Sequence, residues 1–285
     1  MIVGTRQYPR WVDSFRRGDL RFDVRDGGPP DGEPVVLLHG FPQDASAWSA
    51  VEPLLHAAGL RTLALDQRGY SPGARPAGRR AYRLTECAGD VLALLDAAGL
   101  ESAHVVGHDW GGAVAWLLAG RHPERLRTMT AVSTPHPEAM SRALLGSQAL
   151  RSWYMAAFQL PYLPEWRLRD RGFAVRSLTG SGMPREHAER YAERLADPGA
   201  ATAMLNWYRA IPWSALSPAG PAKVPTTYVW STHDVALGRR AAEGTARFVA
   251  APYRFVELEA SHWLPETEPE AGAKSVIERV ASPTS

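Results

Sequence analysis

Residues Val105 to Trp116 read VVGHDWGGAVAW. An apolar run ends at a small residue, His108-Asp109-Trp110 follows, and two glycines open an apolar helix start. This is the layout of a nucleophile elbow, a sharp turn between a strand and a helix that exposes the side chain at its tip. The tip carries a carboxylate, Asp109, where a hydroxyl would be the common choice. A chain with such a turn needs a strand before it and a helix after it, and the surrounding pattern supplies more of both.

Short apolar segments suited to buried strands occur at Leu20–Arg25, Val35–Leu38, Leu60–Leu65, Ala103–Val106 and Thr128–Val132. Helical spacing occupies Ala47–Ala58, Tyr82–Ala98 and Ala113–Ala119 between them. The alternation predicts an α/β fold with a mostly parallel central sheet flanked by helices. It breaks after Ser133-Thr134-Pro135-His136-Pro137. A stretch rich in Trp, Tyr, Arg and Pro then holds helix-like pieces at Leu144–Phe158, Glu186–Asp197 and Ala201–Ile211, with no clear strand. Strands resume at Thr226–Trp230 and Arg254–Leu258, followed by helices at Arg239–Val249 and Glu266–Val280. The expected organisation is a core of residues 1–137 and 219–285 with a helical lid, residues 138–218, inserted into it.

Composition narrows the function classes. Hydrophobic residues make up 45% and charged residues 22% of 285, the balance of an ordinary soluble globular protein. A formal net charge of +2 gives no electrostatic footprint for nucleic acid or an anionic membrane. One cysteine, Cys87, allows neither an intrachain disulfide nor a thiolate metal site. No spacing of His, Cys and carboxylates suggests a metal, and no glycine-rich dinucleotide fingerprint is present, so neither metal nor cofactor is expected. No basic start precedes a long apolar core, and no apolar run is long enough to span a bilayer. A cytoplasmic enzyme without a signal peptide is the expectation.

Asp109 at the elbow, Asp234 after one strand and His262 after the last fall in the chain order nucleophile, acid, histidine. Open α/β sheets gather such residues at the carboxyl ends of their strands. A carboxylate is already anionic at neutral pH and needs no base before it attacks. Attack on an sp³ carbon by a serine would leave an ether, which water cannot readily open. The same attack by an aspartate leaves an ester, which it can. The residues therefore point to an alkylating substrate, an epoxide or an alkyl halide. His262 would activate water for the second step, with Asp234 orienting the imidazole and stabilising its cation. His108, beside the tip, is expected to hold the turn.

His39-Gly40-Phe41-Pro42, Asp66-Gln67-Arg68-Gly69-Tyr70-Ser71 and Gly107-His108-Asp109-Trp110-Gly111-Gly112 resemble the signature segments of the α/β-hydrolase-fold epoxide hydrolases. The resemblance covers nearly the whole chain, and the inserted block looks like their helical lid. Trp153 to Pro161 (WYMAAFQLP) and Asn206 to Arg209 (NWYR) resemble the lid segments that carry two tyrosines. The resemblance implies that Tyr154 and Tyr208 hydrogen-bond the epoxide oxygen. It also implies an oxyanion hole from the backbone N–H groups of Phe41 and Trp110, and a cis Phe41–Pro42 bond. His39, Pro42, Phe158, Trp207 and His136 are the expected substrate-binding residues around this centre. The implied partner is a small-molecule epoxide, apolar or aromatic given the lid tryptophans, and the oligomeric state is left open.

Two other readings compete. Trp110 directly after the nucleophile also occurs in haloalkane dehalogenases, and His39 to Gln43 resembles a run in fluoroacetate dehalogenases. Haloalkane dehalogenases usually place a second halide donor, often Asn, at the position of Phe41, and neither group predicts paired lid tyrosines. A hydrolase-like protein that only binds a ligand would normally lack one of the catalytic residues, and none of the expected positions is lost here.

Overall fold

The computed structural model describes residues 11–146 and 148–282. Its centre is a sheet of eight strands: β1 (Ser14–Arg17), β2 (Leu20–Gly27), β3 (Glu33–Leu38), β4 (Leu60–Leu65), β5 (Ala103–His108), β6 (Leu126–Val132), β7 (Thr226–Ser231) and β8 (Tyr253–Leu258). The spatial order is β1-β2-β4-β3-β5-β6-β7-β8. β1 pairs antiparallel with β2, and β2 with β4; every other pair is parallel. Every residue of β4, β5 and β7 is buried, as strands covered on both faces require.

Alternation along the strands divides the core in two. Val36, Leu38, Leu63, Leu65 and Val105 face one hydrophobic cluster, packed against helices Leu84–Ala97 and Trp110–Arg121. Val35, Leu37, Ala64 and Val106 face the other, against helices Glu52–Ala57 and Pro269–Ala281. Chain order reverses between β3 and β5, whose pairing sets Leu38 opposite Gly107. The crevice at such a reversal lies outside the carboxyl ends of the two strands. His39-Gly40-Phe41 leaves β3 there and Asp109 leaves β5.

Between β6 and β7 the chain forms eight helices among the described residues and no strand. Two of them, Leu163–Arg169 and Arg171–Gly180, fall in sequence with no helical signal, and the expected helix at Leu144–Phe158 is instead two short ones, Gln148–Arg151 and Trp153–Ala157. The inserted helices join the first core cluster through Leu168, Ala174, Met204 and Trp207, so insertion and sheet share one apolar interior. Polar contacts fasten them further. The Trp207 indole donates to the Arg68 carbonyl at 2.8 Å, and Arg194 pairs with Asp66 at 3.0 Å and Asp44 at 3.2 Å. Arg68 is itself held by a two-pronged bond to buried Asp90 at 2.7 and 2.6 Å, a pair whose disruption would leave an uncompensated charge and cost about 3–5 kcal/mol.

β1, the edge strand of the hairpin, has no apolar signal of its own. β1 and β2 are joined through Gly18 and Asp19, with Gly18 at φ 60, the left-handed geometry that tight hairpins demand. Among the described residues, no helix is long and apolar enough to cross a membrane.

Candidate active site

Asp109 sits at φ 50 and ψ −118, a conformation that costs a non-glycine residue about 1–3 kcal/mol. The surroundings enforce it. A Cβ on Gly111 would stand 2.2 Å from the Leu38 carbonyl oxygen, and one on Gly40 would stand 2.3 Å from the Cβ of Asp109, so both positions must be bare. The Asp109 N–H donates to the Val132 carbonyl at 3.2 Å, and the Thr134 hydroxyl donates to the Asp109 carbonyl at 2.7 Å. Strand, elbow helix and neighbouring strand thus over-determine one strained residue.

The two oxygens of Asp109 have different company. Oδ1 accepts the Phe41 N–H at 2.8 Å, and the carboxylate also accepts from the Trp110 N–H. Oδ2 lies 3.9 Å from Nε2 of His262. Burial raises the Asp109 carboxyl above its ordinary value, opposed by His262 and the two N–H donors. The other imidazole nitrogen, Nδ1, donates to Oδ2 of Asp234 at 2.7 Å. Oδ1 of Asp234 is held in turn by the N–H groups of Ala236 and Leu237, each at 2.8 Å. Burial opposes charge on His262, but Asp234 and then Asp109 outweigh it and raise the imidazole to about 9.

Tyr154 and Tyr208 come from different helices, Trp153–Ala157 and Ala200–Arg209, and their rings lie 6.0 Å apart. Both line the cavity that contains Asp109. Arg209 fixes this meeting. Its guanidinium donates to the carbonyls of Phe158 at 2.9 Å and Leu160 at 2.7 Å, just past the Tyr154 helix, and pairs with Glu165. Gln159 adds a bond to the Tyr208 carbonyl at 3.0 Å. Burial, and then the negative Asp109 and Asp234, raise the Tyr154 phenol. Burial, with Tyr154 and Asp109 after it, raises Tyr208 against a side-chain hydrogen bond from Trp110. Both phenols keep their protons at neutral pH.

The cavity encloses about 280 Å³. Trp110, Ala113 and Leu117, one face of the elbow helix, form its floor, and Leu84, Met155 and Ile211 belong to its apolar walls. Residues at i, i+3 and i+7 lie on one side of a helix, and seven residues rise about 10 Å. The cavity therefore extends roughly two helical turns from Asp109.

This arrangement has known counterparts. The α/β-hydrolase fold family matches residues 33–269. The AB hydrolase superfamily protein YfhM of Bacillus subtilis is 38% identical over 91% of this chain and 94% of its own length. Human epoxide hydrolase 4 is 32% identical over 94% of this chain and 76% of its own. The chain belongs to the α/β-hydrolase family of epoxide hydrolases. The crystal structure of epoxide hydrolase A from Mycobacterium thermoresistibile superposes on this family member with a TM-score of 0.83 at 25% identity, covering 94% of this chain and 97% of that one.

Within this epoxide-hydrolase family member, Asp109, Tyr154, Tyr208 and Trp110 line one cavity. Asp234 and His262 join them through the Asp109–His262 contact, and the Phe41–Pro42 bond is cis. None of the five expected substrate-binding residues is among those that line this cavity. His39 is fully buried and its Nε2 accepts the Gln67 N–H at 3.1 Å. His136 is also fully buried; it caps helix Pro137–Ala143 and stacks on Phe248 at 4.9 Å. Pro42 is buried in its turn, and Trp207 is spent on the Arg68 carbonyl. Phe158 backs the tyrosines, its ring 5.6 Å from Tyr154 and 4.9 Å from Tyr208. Aromatic and histidine side chains next to a motif serve its packing as readily as its substrate, and sequence order does not say which way they face. The contributions of Thr134, Arg209 and Gln43 went unread for the same reason.

Proposed function

We propose that this protein hydrolyses epoxides to vicinal diols in two steps, with Asp109 as nucleophile. Oδ2 attacks an epoxide carbon, the C–O bond of the ring breaks, and the oxygen takes a proton from Tyr154 or Tyr208. The product of this step is an ester of Asp109 whose carbonyl oxygen is Oδ1. The proton held by His262 in the resting enzyme passes back to the phenolate, and the neutral imidazole then removes a proton from water as that water attacks the ester carbon. Negative charge collects on Oδ1, which the Phe41 N–H already contacts, with the Trp110 N–H donating to the same carboxylate, so the donors need little rearrangement. Collapse releases the diol and regenerates the carboxylate.

The observation that carries this reading is the convergence of two protonated phenols on the cavity of a carboxylate nucleophile. An alkoxide leaving group needs a proton and a halide does not, so paired acids favour an epoxide over an alkyl halide. We take residues 138–218 to act as a lid that supplies these acids. The apolar walls along Trp110, Ala113 and Leu117 support an epoxide bearing one uncharged aliphatic or aryl arm. We also infer a cytoplasmic enzyme, in keeping with a single buried thiol, Cys87; cell fractionation checks this.

Single turnover in ¹⁸O-water tests the mechanism. Label is expected in Asp109 and absent from the first diol. Label in that diol would mean direct attack of water on the epoxide. A parallel panel of epoxides and haloalkanes, scored for diol and halide, tests the substrate class.

A further inference from the structure

Behind the reacting groups runs a chain of hydrogen bonds with no part in the two steps above. Glu266 lies four residues beyond His262, in the short helix Leu264–Thr267, and its carboxylate is turned inward. Both its oxygens accept from the Gln43 amide nitrogen, at 2.7 and 2.9 Å. One of them also accepts from the hydroxyl of Tyr191, on the inserted helix Arg185–Ala196, at 2.9 Å. The Gln43 amide oxygen faces the Gly40 N–H at 3.1 Å and Nδ1 of His108 at 2.8 Å. Nε2 of His108 faces the main-chain carbonyl of His262 at 2.9 Å. We propose that Glu266 is a positioning residue for catalysis: through Gln43 it holds the Gly40–Phe41 backbone against Asp109, and through His108 the backbone of His262.

Counting donors gives this brace a further property. Both ring nitrogens of His108 face oxygen atoms, and a neutral imidazole has one N–H to give. In one arrangement His108 carries two protons and Glu266 is ionised. In the other, the Gln43 amide is turned, its NH₂ faces His108, and a neutral Glu266 donates to the amide oxygen. The two arrangements contain the same number of protons, one more than an ionised glutamate with a neutral imidazole. The Gly40 N–H favours the first, and the burial of His108, which lowers its basicity, favours the second. Burial also pushes the Glu266 carboxyl up to about 7, against Gln43, Tyr191 and Arg190. The charged and titratable groups around the brace are Tyr191 and Arg190 from the inserted helix, His262 from its own loop, and His39 beside His108. The extra proton is held below neutrality and lost as pH rises, after which a lone pair meets an oxygen in the buried chain and the backbone of both catalytic loops loosens.

The role rests on the reading of Asp109 and His262 given above, and the experiment separates the two. Steady-state rates with styrene oxide are measured from pH 6 to 9 for the parent, Glu266→Gln, Glu266→Leu and Gln43→Met, alongside melting curves. The variants are expected to lose roughly 10–100-fold in kcat, as small misplacements of reacting groups do, with KM changed far less. The parental limb of the kcat profile near neutral pH should vanish in Glu266→Gln. ¹⁵N signals of the His108 ring should titrate near neutrality in the parent and change in Glu266→Gln, with or without substrate. A parent that forms no diol from any epoxide defeats the functional reading, and the His108 signals still decide the brace. Folded Glu266→Gln or Gln43→Met with parental kcat and pH profile, or His108 signals identical in parent and Glu266→Gln, would overturn the proposal.

Discussion

Nε2 of His262 stands 3.9 Å from Oδ2 of Asp109, while Oδ1 of the same carboxylate is already engaged by the Phe41 N–H at 2.8 Å. The two oxygens of one side chain are therefore assigned before substrate arrives. Oδ2 is free to form a bond, and Oδ1 is placed to receive charge. His262 lies on the side of the bond-forming oxygen, at a separation that a water could bridge once the ester exists.

This asymmetry predicts a separation of steps. His262→Gln should open the epoxide and stall, so intact-protein mass spectrometry should show one covalent adduct per chain after substrate is added. Asp109→Ala should show neither adduct nor diol. A His262→Gln protein that turns over at the parental rate without accumulating adduct would remove His262 from the second step.

The phenols should act on the first step alone. Losing one of Tyr154 and Tyr208 should slow alkylation roughly 10–1000-fold, the range of general acids and oxyanion donors elsewhere. The remaining phenol can still supply the proton. Tyr154→Phe/Tyr208→Phe should lose nearly all epoxide opening while keeping its fold, because both rings remain. Stopped-flow measurement of adduct formation checks this, and parental opening by the double variant would refute the assignment.

Charge coupling sets a pH dependence. In the resting enzyme Asp234 and Asp109 hold His262 at about 9 against burial, so it is protonated at pH 7 and paired with the nucleophile. Esterification removes the Asp109 charge and with it part of what raises the imidazole. The basic form of His262 should then be more populated in the ester than in the resting enzyme. Asp109→Asn mimics that neutral state, and NMR titration should find the His262 midpoint below the parental value. Equal midpoints in the two proteins would show that the carboxylate does not tune the base.

Arg209 should affect chemistry without touching substrate. It is 4% exposed at its side chain and satisfies two carbonyls just past the Tyr154 helix. Arg209→Met strands Glu165 and both carbonyls, at a cost of about 3–5 kcal/mol. The melting temperature should fall, and adduct formation should slow even at temperatures where the variant is fully folded. Hydrolysis of a preformed ester should change little. Equal losses in the two steps would mean that Arg209 supports the whole fold and not the meeting of the tyrosines.

Leu117 should set arm length. It lies on the cavity face of the elbow helix, seven residues beyond Trp110. Leu117→Phe should raise KM for epoxides with long arms by about 10–200-fold, the range that pocket-filling groups command, and spare short ones. Comparing kcat/KM for 1,2-epoxypropane and 1,2-epoxydecane reads the effect. An equal change for both would place the arm elsewhere.

What could be read from sequence was local or ordered. The elbow declared itself because three of the bare positions its turn demands, Gly107, Gly111 and Gly112, lie within three residues of Asp109, although Gly40 is far away in sequence. Asp234 and His262 followed from their order after strands. β1 did not, because SFRR is a strand only by virtue of its partner across Gly18-Asp19. Helix Arg171–Gly180 did not, because Gly172 and Thr179 are weak helix formers and its support is the packing of Ala174, Val175 and Leu178. The bond from Gln43 to Glu266 joins residues 223 apart, and no window along the chain contains both. The facing of the pocket-side aromatics is illegible in sequence for a related reason. Whether Trp207 meets substrate or the Arg68 carbonyl depends on how the insertion docks, which is a tertiary outcome.

In the mechanism proposed above, the insertion between β6 and β7 supplies the proton donors, whereas the nucleophile, the charge-stabilising amides and the water-activating histidine all hang from the sheet. The two halves of the reaction cycle thus occupy separable stretches of gene. Transplanting a different helical segment between Val132 and Thr226 would change which leaving group can be discharged, and the ester-cleaving half would be inherited if the new segment replaces the Tyr191 hydroxyl on Glu266. Such a scaffold can diversify its electrophiles by exchanging one continuous cassette, without having to reinvent hydrolysis each time.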